Sequence, residues 1–262
     1  MKMDIQGFFM HIDRQRLLDI TLRQLRLMAT HKVGKGMAGR WHDYVDMEFV
    51  EYLTEVIVLL NPTEECHRRG TLLDWQGLPH NKSLFHSPKG CGLPIGNLTS
   101  QLFSYVYMNE LDQYVKRTLH CKHYGRYVDD FFIVSADKAW LTSLQQPIMI
   151  FLKEHLGLEL NTGKTRICDV RHGIDFLGAY LKPHRRYVSN NTLGRMKPKI
   201  IRLTQINVPE KMRCTLNSYL GLLSHYKSYH LRQTLFRNLS FVYHYGYYHK
   251  GITKFVLYPF FT

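Results

Sequence analysis

The chain has 262 residues, 45% hydrophobic and 21% charged, enough for one large domain or two modest ones with a real core, which excludes a disordered or fibrous chain. Lys plus Arg number 35 against 21 for Asp plus Glu, a formal charge of +14 with 15 His besides, so a polyanionic partner is expected, nucleic acid being the commonest. Cys66, Cys91, Cys121, Cys168 and Cys214 stand far apart without Cys-x-x-Cys or Cys/His metal spacing, which argues against a disulfide scaffold or a zinc site. With no apolar run of membrane-spanning length and no signal-peptide layout at the N-terminus, a cytoplasmic protein is expected.

Residues 1–13, MKMDIQGFFMHID, form an apolar run around Asp4, with Ile5, Phe8, Phe9 and Ile12 apolar and Gly7 permitting close backbone approach. An isolated Asp in such a run is a helix cap or a working carboxylate. Asp13 already caps the helix predicted over 14–31, which weakens the capping reading of Asp4. That helix places Leu17, Ile20, Thr21, Leu25 and Met28 on one side and Arg14, Arg16, Arg23 and Arg26 elsewhere. Residues 32–44 read as a Gly-rich loop; its spacing around Lys35 matches neither phosphate-binding fingerprint. A second helix over 47–60 turns Phe49, Leu53, Val56, Ile57 and Leu60 inward and stops at Asn61-Pro62. The irregular stretch 63–91 interleaves His67, Arg68, Arg69 and Lys89 with Trp75 and Phe85, and suits either a surface for a sugar-phosphate backbone or a plain basic loop.

Gly92-Leu-Pro-Ile-Gly-Asn-Leu-Thr-Ser-Gln101 leads into a helix reaching about 120, along which Leu102, Val106, Asn109 and Tyr114 continue the pattern. Two Gly and a Pro ahead of a helix start leave backbone amides pointing forward. Residues 124–134, YGRYVDDFFIV, read as strand, tight turn, strand, with Tyr127, Val128, Phe131, Phe132, Ile133 and Val134 buried. Asp129 and Asp130 are then either a solvated turn or two crowded anions that need a cation. A helix over 137–156 faces Leu141, Leu144, Ile148, Phe151 and Leu152 inward and ends at Gly157. Leu158-Glu-Leu-Asn-x-x-Lys164-Thr-Arg-Ile167 reads as strand, turn, strand, and residues 176–181 as a short strand with an internal Gly. From about 182 the chain becomes strongly basic, with two helices over 192–205 and 211–239, the second carrying Tyr219, Leu222, Leu223, Tyr226 and Tyr229 on its apolar face. A domain boundary is placed near 182–190.

The order of these pieces resembles the palm of a reverse transcriptase over nearly the whole chain. Asp4-Ile-x-x-Phe-Phe is similar to the family's first catalytic motif and Tyr127-Val-Asp-Asp130 to its second. Gly157-Leu-x-Leu-Asn-x-x-Lys164-Thr resembles the lysine-bearing motif, and Phe176-Leu177-Gly178 the primer-grip hairpin. Leu93-Pro-Ile95-Gly96-x-x-x-Ser100-Gln101, with Arg68-Arg69-Gly70 and Lys82-Ser-Leu-Phe85 upstream, is similar to the reverse transcriptases of diversity-generating retroelements, where viral and intron relatives carry Gln in place of Ile95 and Pro in place of Gln101.

The resemblance implies an α+β fold, a polymerase right-hand palm of antiparallel sheet packed on helices over 1–185 and a helical basic thumb over 186–262. It implies RNA-directed DNA polymerase activity making cDNA from a retroelement template RNA, error-prone at adenines, in a prokaryotic or phage-encoded enzyme. Asp4, Asp129 and Asp130, with the Ile5 carbonyl, are the expected ligands of two Mg²⁺ ions, and Lys164 the group that protonates or neutralises the leaving pyrophosphate. Phe9 is the expected steric gate against a ribose 2′-hydroxyl. Ile95, Gly96, Ser100 and Gln101 are expected near the deoxynucleotide, and Phe176, Leu177 and Gly178 near the primer. The implied partners are template RNA, the cDNA/primer duplex, deoxynucleotide triphosphates and a small basic accessory protein, with no membrane. Because the chain starts three residues before Asp4, the fingers region is expected to be largely absent. The alternative reading is therefore an inactive, N-terminally truncated nucleic-acid-binding remnant.

Overall fold

The computed structural model describes residues 1–34, 39–67, 69–205 and 208–261. Lys35 of the Gly-rich loop and Arg68 of the Arg-Arg-Gly motif lie outside the described residues. The chain divides into two compact units, Met1–Ile167 and Cys168–Thr262.

The first unit is built on a three-stranded antiparallel sheet in the order β1-β3-β2, with β1 at Lys2–Asp4, β2 at His123–Tyr127 and β3 at Asp130–Val134. The central strand β3 has Phe131 and Ile133 essentially fully buried, and they join Met3 and Ile5 in one core. The alternate positions point to the other face, the period-two pattern of a half-buried sheet. Two expected core residues fall outside it: Tyr127 is 54% and Val134 39% exposed, because both sit at ends of their strands. Gly125 lies opposite Phe132 in the β2–β3 register, and a Cβ there would come within 2.5 Å of the Phe132 ring. The ring occupies the space that a side chain would need.

Helices pack on the apolar side of this sheet. After a short helix α1 (Phe8–His11), α2 (Arg14–Ala29) begins under the Asp13 cap, whose carboxylate accepts the Arg16 amide hydrogen bond. Leu17, Leu18, Ile20 and Thr21 are buried, while Met28, expected inward, is exposed near the last turn. α3 (Met47–Leu59) corrects the expectation more strongly. Phe49, Leu53, Val56, Ile57 and Leu60 are all exposed, and Val58 is the buried residue of that helix. α3 packs against α2 and is tied to it by the Arg26–Glu51 ion pair. The buried Arg14 side chain closes its C-terminal end by donating to the Leu59 and Leu60 carbonyls. Periodicity identified an apolar stripe but could not show which element would cover it.

α4 (Leu98–Gln113) buries Ser100, Phe103, Ser104, Tyr107, Met108 and Leu111, with Leu102 on the exposed side. One π-helical turn, Tyr114–Thr118, follows it. The long helix expected over 137–156 is broken into α5 (Lys138–Ser143) and α6 (Gln145–Leu156), both contributing to the core at the expected Leu141, Ile148 and Leu152. Gly157, at φ 61°, closes α6 in the left-handed conformation that glycine adopts without strain.

The second unit begins with a meander of β4 (Ile174–Phe176), β5 (Ala179–Lys182) and β6 (Arg185–Val188). Residues 176–181 are thus not one strand. Leu177 and Gly178 both have positive φ and form the two-residue turn between β4 and β5. Gly178 accepts hydrogen bonds from the Ser189 amide and the Thr192 hydroxyl at the start of α7 (Asn190–Ile201), so the meander packs with the helices that follow it. The unit boundary at 167/168 accordingly lies ahead of the 182–190 region suggested by the change in charge. The helix expected over 211–239 is two, α8 (Pro209–Ser224) and α9 (Tyr229–Phe236), with buried Ser228 between them donating to the Leu223 carbonyl. The buried face of α8 is Met212, Leu216, Leu220 and Leu223, whereas Leu222 and Tyr229 are exposed. A small sheet of β7 (Gly246–Tyr248) and β8 (Phe255–Leu257), unanticipated from sequence, completes the core through Phe255 and Leu257.

Candidate active site

The register of the first sheet sets Asp4 directly opposite Asp130. Directly opposed antiparallel residues hold their Cβ atoms about 4.5–5.5 Å apart, where like charges are unfavourable. The Asp-Asp pair is therefore divided between two kinds of position. The hairpin turn consists of Val128 and Asp129, flanked by the Tyr127–Asp130 pair, while Asp130 itself opens β3. Val128 has φ 57°, a left-handed conformation that costs a β-branched residue strain.

Two lysines answer the carboxylates. Lys164 Nζ donates to Asp4 Oδ2 at 2.7 Å, and Lys2 Nζ lies 3.2 Å from Asp130 Oδ1. Lys2 is two residues before Asp4 on the same strand and so shares its face, a signal that was readable in the sequence. Lys164 arrives by another route. The outer edge of β1 is bridged at Lys2 by Arg166 and at Ile5 by Leu160, and the Asn161 amide donates to the Asp4 carbonyl at 2.8 Å. Between these anchors the chain makes a single tight turn, Thr162–Lys164, in place of the expected strand–turn–strand. That turn puts the lysine over the strand carrying Asp4.

The electrostatics follow from this crowding. Burial raises the Asp129 carboxyl above its ordinary value; the charges of Asp4 and Asp130 add to the rise, and Lys164 opposes it. Burial and the adjoining Asp4 likewise raise Asp130 against the pull of Lys2. The Asp4 hydrogen bond, with the charges of Asp4, Asp130 and Asp129, raises Lys164. The site is short of positive charge even with both lysines in place. Hard carboxylate oxygens in that condition suit a divalent cation. Among the described residues no three His, Cys, Asp or Glu side chains form a ready-made metal cage, so the donors are an open set rather than a closed shell.

A cleft of about 260 Å³ opens in front of these groups. Its walls bring together Asp4, Ile5, Phe9, Ile95, Asp129 and Lys164 from the predicted set. Phe9 is half-buried, stacked edge-on against Phe8, and its carbonyl accepts the Leu93 amide, which brings the Leu93–Gly96 turn alongside. Ile95 is 68% exposed. Gly96 has φ 101°, Ser100 is buried in the first turn of α4 and Gln101 is exposed; these three are not among the cleft walls. Asp130, paired with Lys2, is likewise not among the cleft walls. Phe176, Leu177 and Gly178 belong to the second unit, at the β4–β5 turn, with Leu177 48% exposed.

Sequence reasoning missed Asn81 and Asn161 as cleft walls, and gave Lys82 no role there. Asn81 reaches the cleft because Gly7, at φ 53°, leaves room: a Cβ there would lie 3.2 Å from the Asn81 carbonyl oxygen. No local pattern around Asn81 announces that approach. The cysteines are free thiols, and among the described residues no helix is long and apolar enough to cross a membrane.

No curated protein matches the chain. The family model described as reverse transcriptase (RNA-dependent DNA polymerase) matches residues 1–181, a stretch that holds every cleft residue named above, and the chain belongs to that family.

Proposed function

We propose that this protein is an RNA-directed DNA polymerase that copies a retroelement template RNA into cDNA, with errors concentrated at adenines. The observation that carries the proposal is the convergence on one cleft of Asp4 and Asp129, Lys164 on Asp4, and Phe9 and Ile95. Joining a nucleotide to a primer is an in-line phosphoryl transfer. The primer 3′-oxygen bonds the α-phosphorus, the bond to the bridging oxygen of the leaving pyrophosphate breaks, and the hydroxyl proton passes to solvent water.

In this reading Asp4 and Asp129, supported by Asp130 and the Ile5 carbonyl, hold two Mg²⁺ ions. When bound, the ions supply positive charge for the attacking and leaving oxygens. Lys164 gives a proton to the leaving pyrophosphate or neutralises its charge. Phe9 packs where a ribose 2′-hydroxyl would sit and so favours deoxynucleotides. Ile95 faces the incoming base with an apolar group, removing a polar constraint on base choice. Phe176, Leu177 and Gly178 contact the primer, and the basic helices of the second unit track the duplex backbone without reading sequence. A small basic accessory protein belongs to the same reading.

Primer extension on an RNA template with Mg²⁺ tests the proposal. Extension by the wild-type chain and its loss in Asp129→Ala are expected. Extension that survives the substitution refutes the assignment, and duplex binding without extension identifies an inactive binding remnant instead.

A further inference from the structure

The turn that carries Asp129 is held by a network the mechanism above does not use. Arg126, on β2, spreads its guanidinium over two partners. Its Nε and Nη2 donate to Asp112 Oδ1 and Oδ2 at 2.8 and 2.6 Å, and its Nη1 donates to the Val128 carbonyl at 3.0 Å. Asp112 lies in the last turn of α4, and its Oδ1 also accepts the Tyr124 hydroxyl at 2.6 Å. The Arg126 side chain is 7% exposed and that of Asp112 24%. A bidentate, nearly buried pair of this kind has fixed geometry.

The third contact reaches the strained residue itself. Val128 is β-branched and holds φ 57°, a conformation that persists only where its surroundings over-determine it. Its carbonyl opens the peptide that continues into Asp129, so fixing that oxygen fixes the direction in which Asp129 leaves the turn. We infer that the Asp112–Arg126 pair is a positioning device, which clamps Val128 of the Val128–Asp129 turn in its left-handed conformation and thereby aims the Asp129 carboxylate into the cleft. The clamp transmits the placement of helix α4 to the catalytic turn through Arg126, which stands 14 residues from Asp112 in sequence. Arg126 touches no reacting atom; it acts through the turn. The inference rests on the functional reading for its kinetic consequence, but the clamp itself does not.

Arg126→Met, Arg126→Lys, Asp112→Asn and Val128→Gly, with the double variant Arg126→Met/Val128→Gly, test it by two readouts. The first is amide hydrogen exchange over residues 124–131, which needs no activity. Arg126→Met and Asp112→Asn are expected to speed exchange there about tenfold while leaving β1 and α6 unchanged. The second is primer extension. Arg126→Met is expected to lower kcat at least tenfold and to raise the Mg²⁺ concentration for half-maximal rate, with KM for primer–template unchanged. Arg126→Lys keeps the charge but cannot grip Asp112 and the Val128 carbonyl together, so it stays impaired. Glycine accepts positive φ without strain, so Val128→Gly in the Arg126→Met background is expected to recover at least threefold of kcat. Unchanged exchange in Arg126→Met overturns the clamp. Wild-type kcat in Arg126→Met, or a loss explained wholly by less folded protein with no recovery in the double variant, overturns the positioning role. A wild-type chain that extends no primer defeats the functional reading, and the exchange result still decides the clamp.

Discussion

Lys164 Nζ lies 2.7 Å from Oδ2 of Asp4, two residues separated by 160 positions in the chain. The contact exists because residues 160–166 are pinned to the free edge of β1 at both ends. If this lysine assists the leaving group, Lys164→Met lowers the single-turnover incorporation rate by about 10²-fold, the lower range for general-acid assistance. Lys164→Arg retains part of the rate by charge alone. Equal rates in wild type and Lys164→Met would leave the residue a charge partner of Asp4 only.

The crowded carboxylates give the fold a pH signature. The Asp129 pKa is raised in the folded chain, so its charged form is disfavoured by folding. Its contribution is favourable when protonated and is lost as pH rises from the ordinary carboxylate range, about 4, through the folded value. Asp129→Asn should therefore melt above the wild type at pH 7 without divalent ions, the gap closing as pH falls toward 3–4. Melting curves of the two proteins between pH 3 and 8 check this, and a gap independent of pH contradicts it. Added Mg²⁺ should raise the wild-type melting temperature more than that of Asp129→Asn.

Ile95 presents an exposed apolar side chain at the cleft. Ile95→Gln restores an amide at that position and is expected to reduce misincorporation opposite template adenine severalfold, read by sequencing the cDNA. An unchanged error spectrum would sink the link between this residue and fidelity.

Phe9 lines the same cleft from the short helix after β1. Phe9→Ala should raise the efficiency of ribonucleotide relative to deoxynucleotide incorporation by on the order of 10²-fold, the scale on which a pocket's shape separates substrates differing by one hydroxyl. The ratio of kcat/KM values for the two nucleotide types measures it; no change makes Phe9 a core residue alone.

Gly125 concerns the sheet rather than the chemistry. The Phe132 ring stands 2.5 Å from where its Cβ would be, so Gly125→Ala overpacks the β2–β3 pair at a cost of about 1–3 kcal/mol. A melting temperature lowered by several degrees is expected, with partial recovery in Gly125→Ala/Phe132→Leu. Undiminished stability in Gly125→Ala would show that the ring is free to move aside.

What the sequence legibly carried was local and periodic. The Asp13 cap, the Gly157 stop, the buried Phe131 and Ile133 and the core stripe of 137–156 all follow from neighbours within a few positions, and the structure contains each of them. Short motifs in order carried the family, whose polymerase palm is compatible with the small antiparallel sheet on helices found here. Amphipathic patterning was less dependable for α3, where an apolar stripe is set by spacing but its burial depends on which element lies across from it.

The sequence by itself determined that this chain carries carboxylates inside apolar strands, a lysine after a helix stop, and enough positive charge to meet a polyanion, because composition and short-range spacing are properties of the chain alone. Only the tertiary structure decided that Asp4 faces Asp130 across a strand pair, that Lys2 and Lys164 neutralise different carboxylates, and that Arg126 grips the turn beneath Asp129. Those relationships depend on strand register and on the edge to which a distant loop is bonded. A slip of β1 by one residue against β3 would turn Lys2 and Asp4 to the other face of the sheet, away from Asp130.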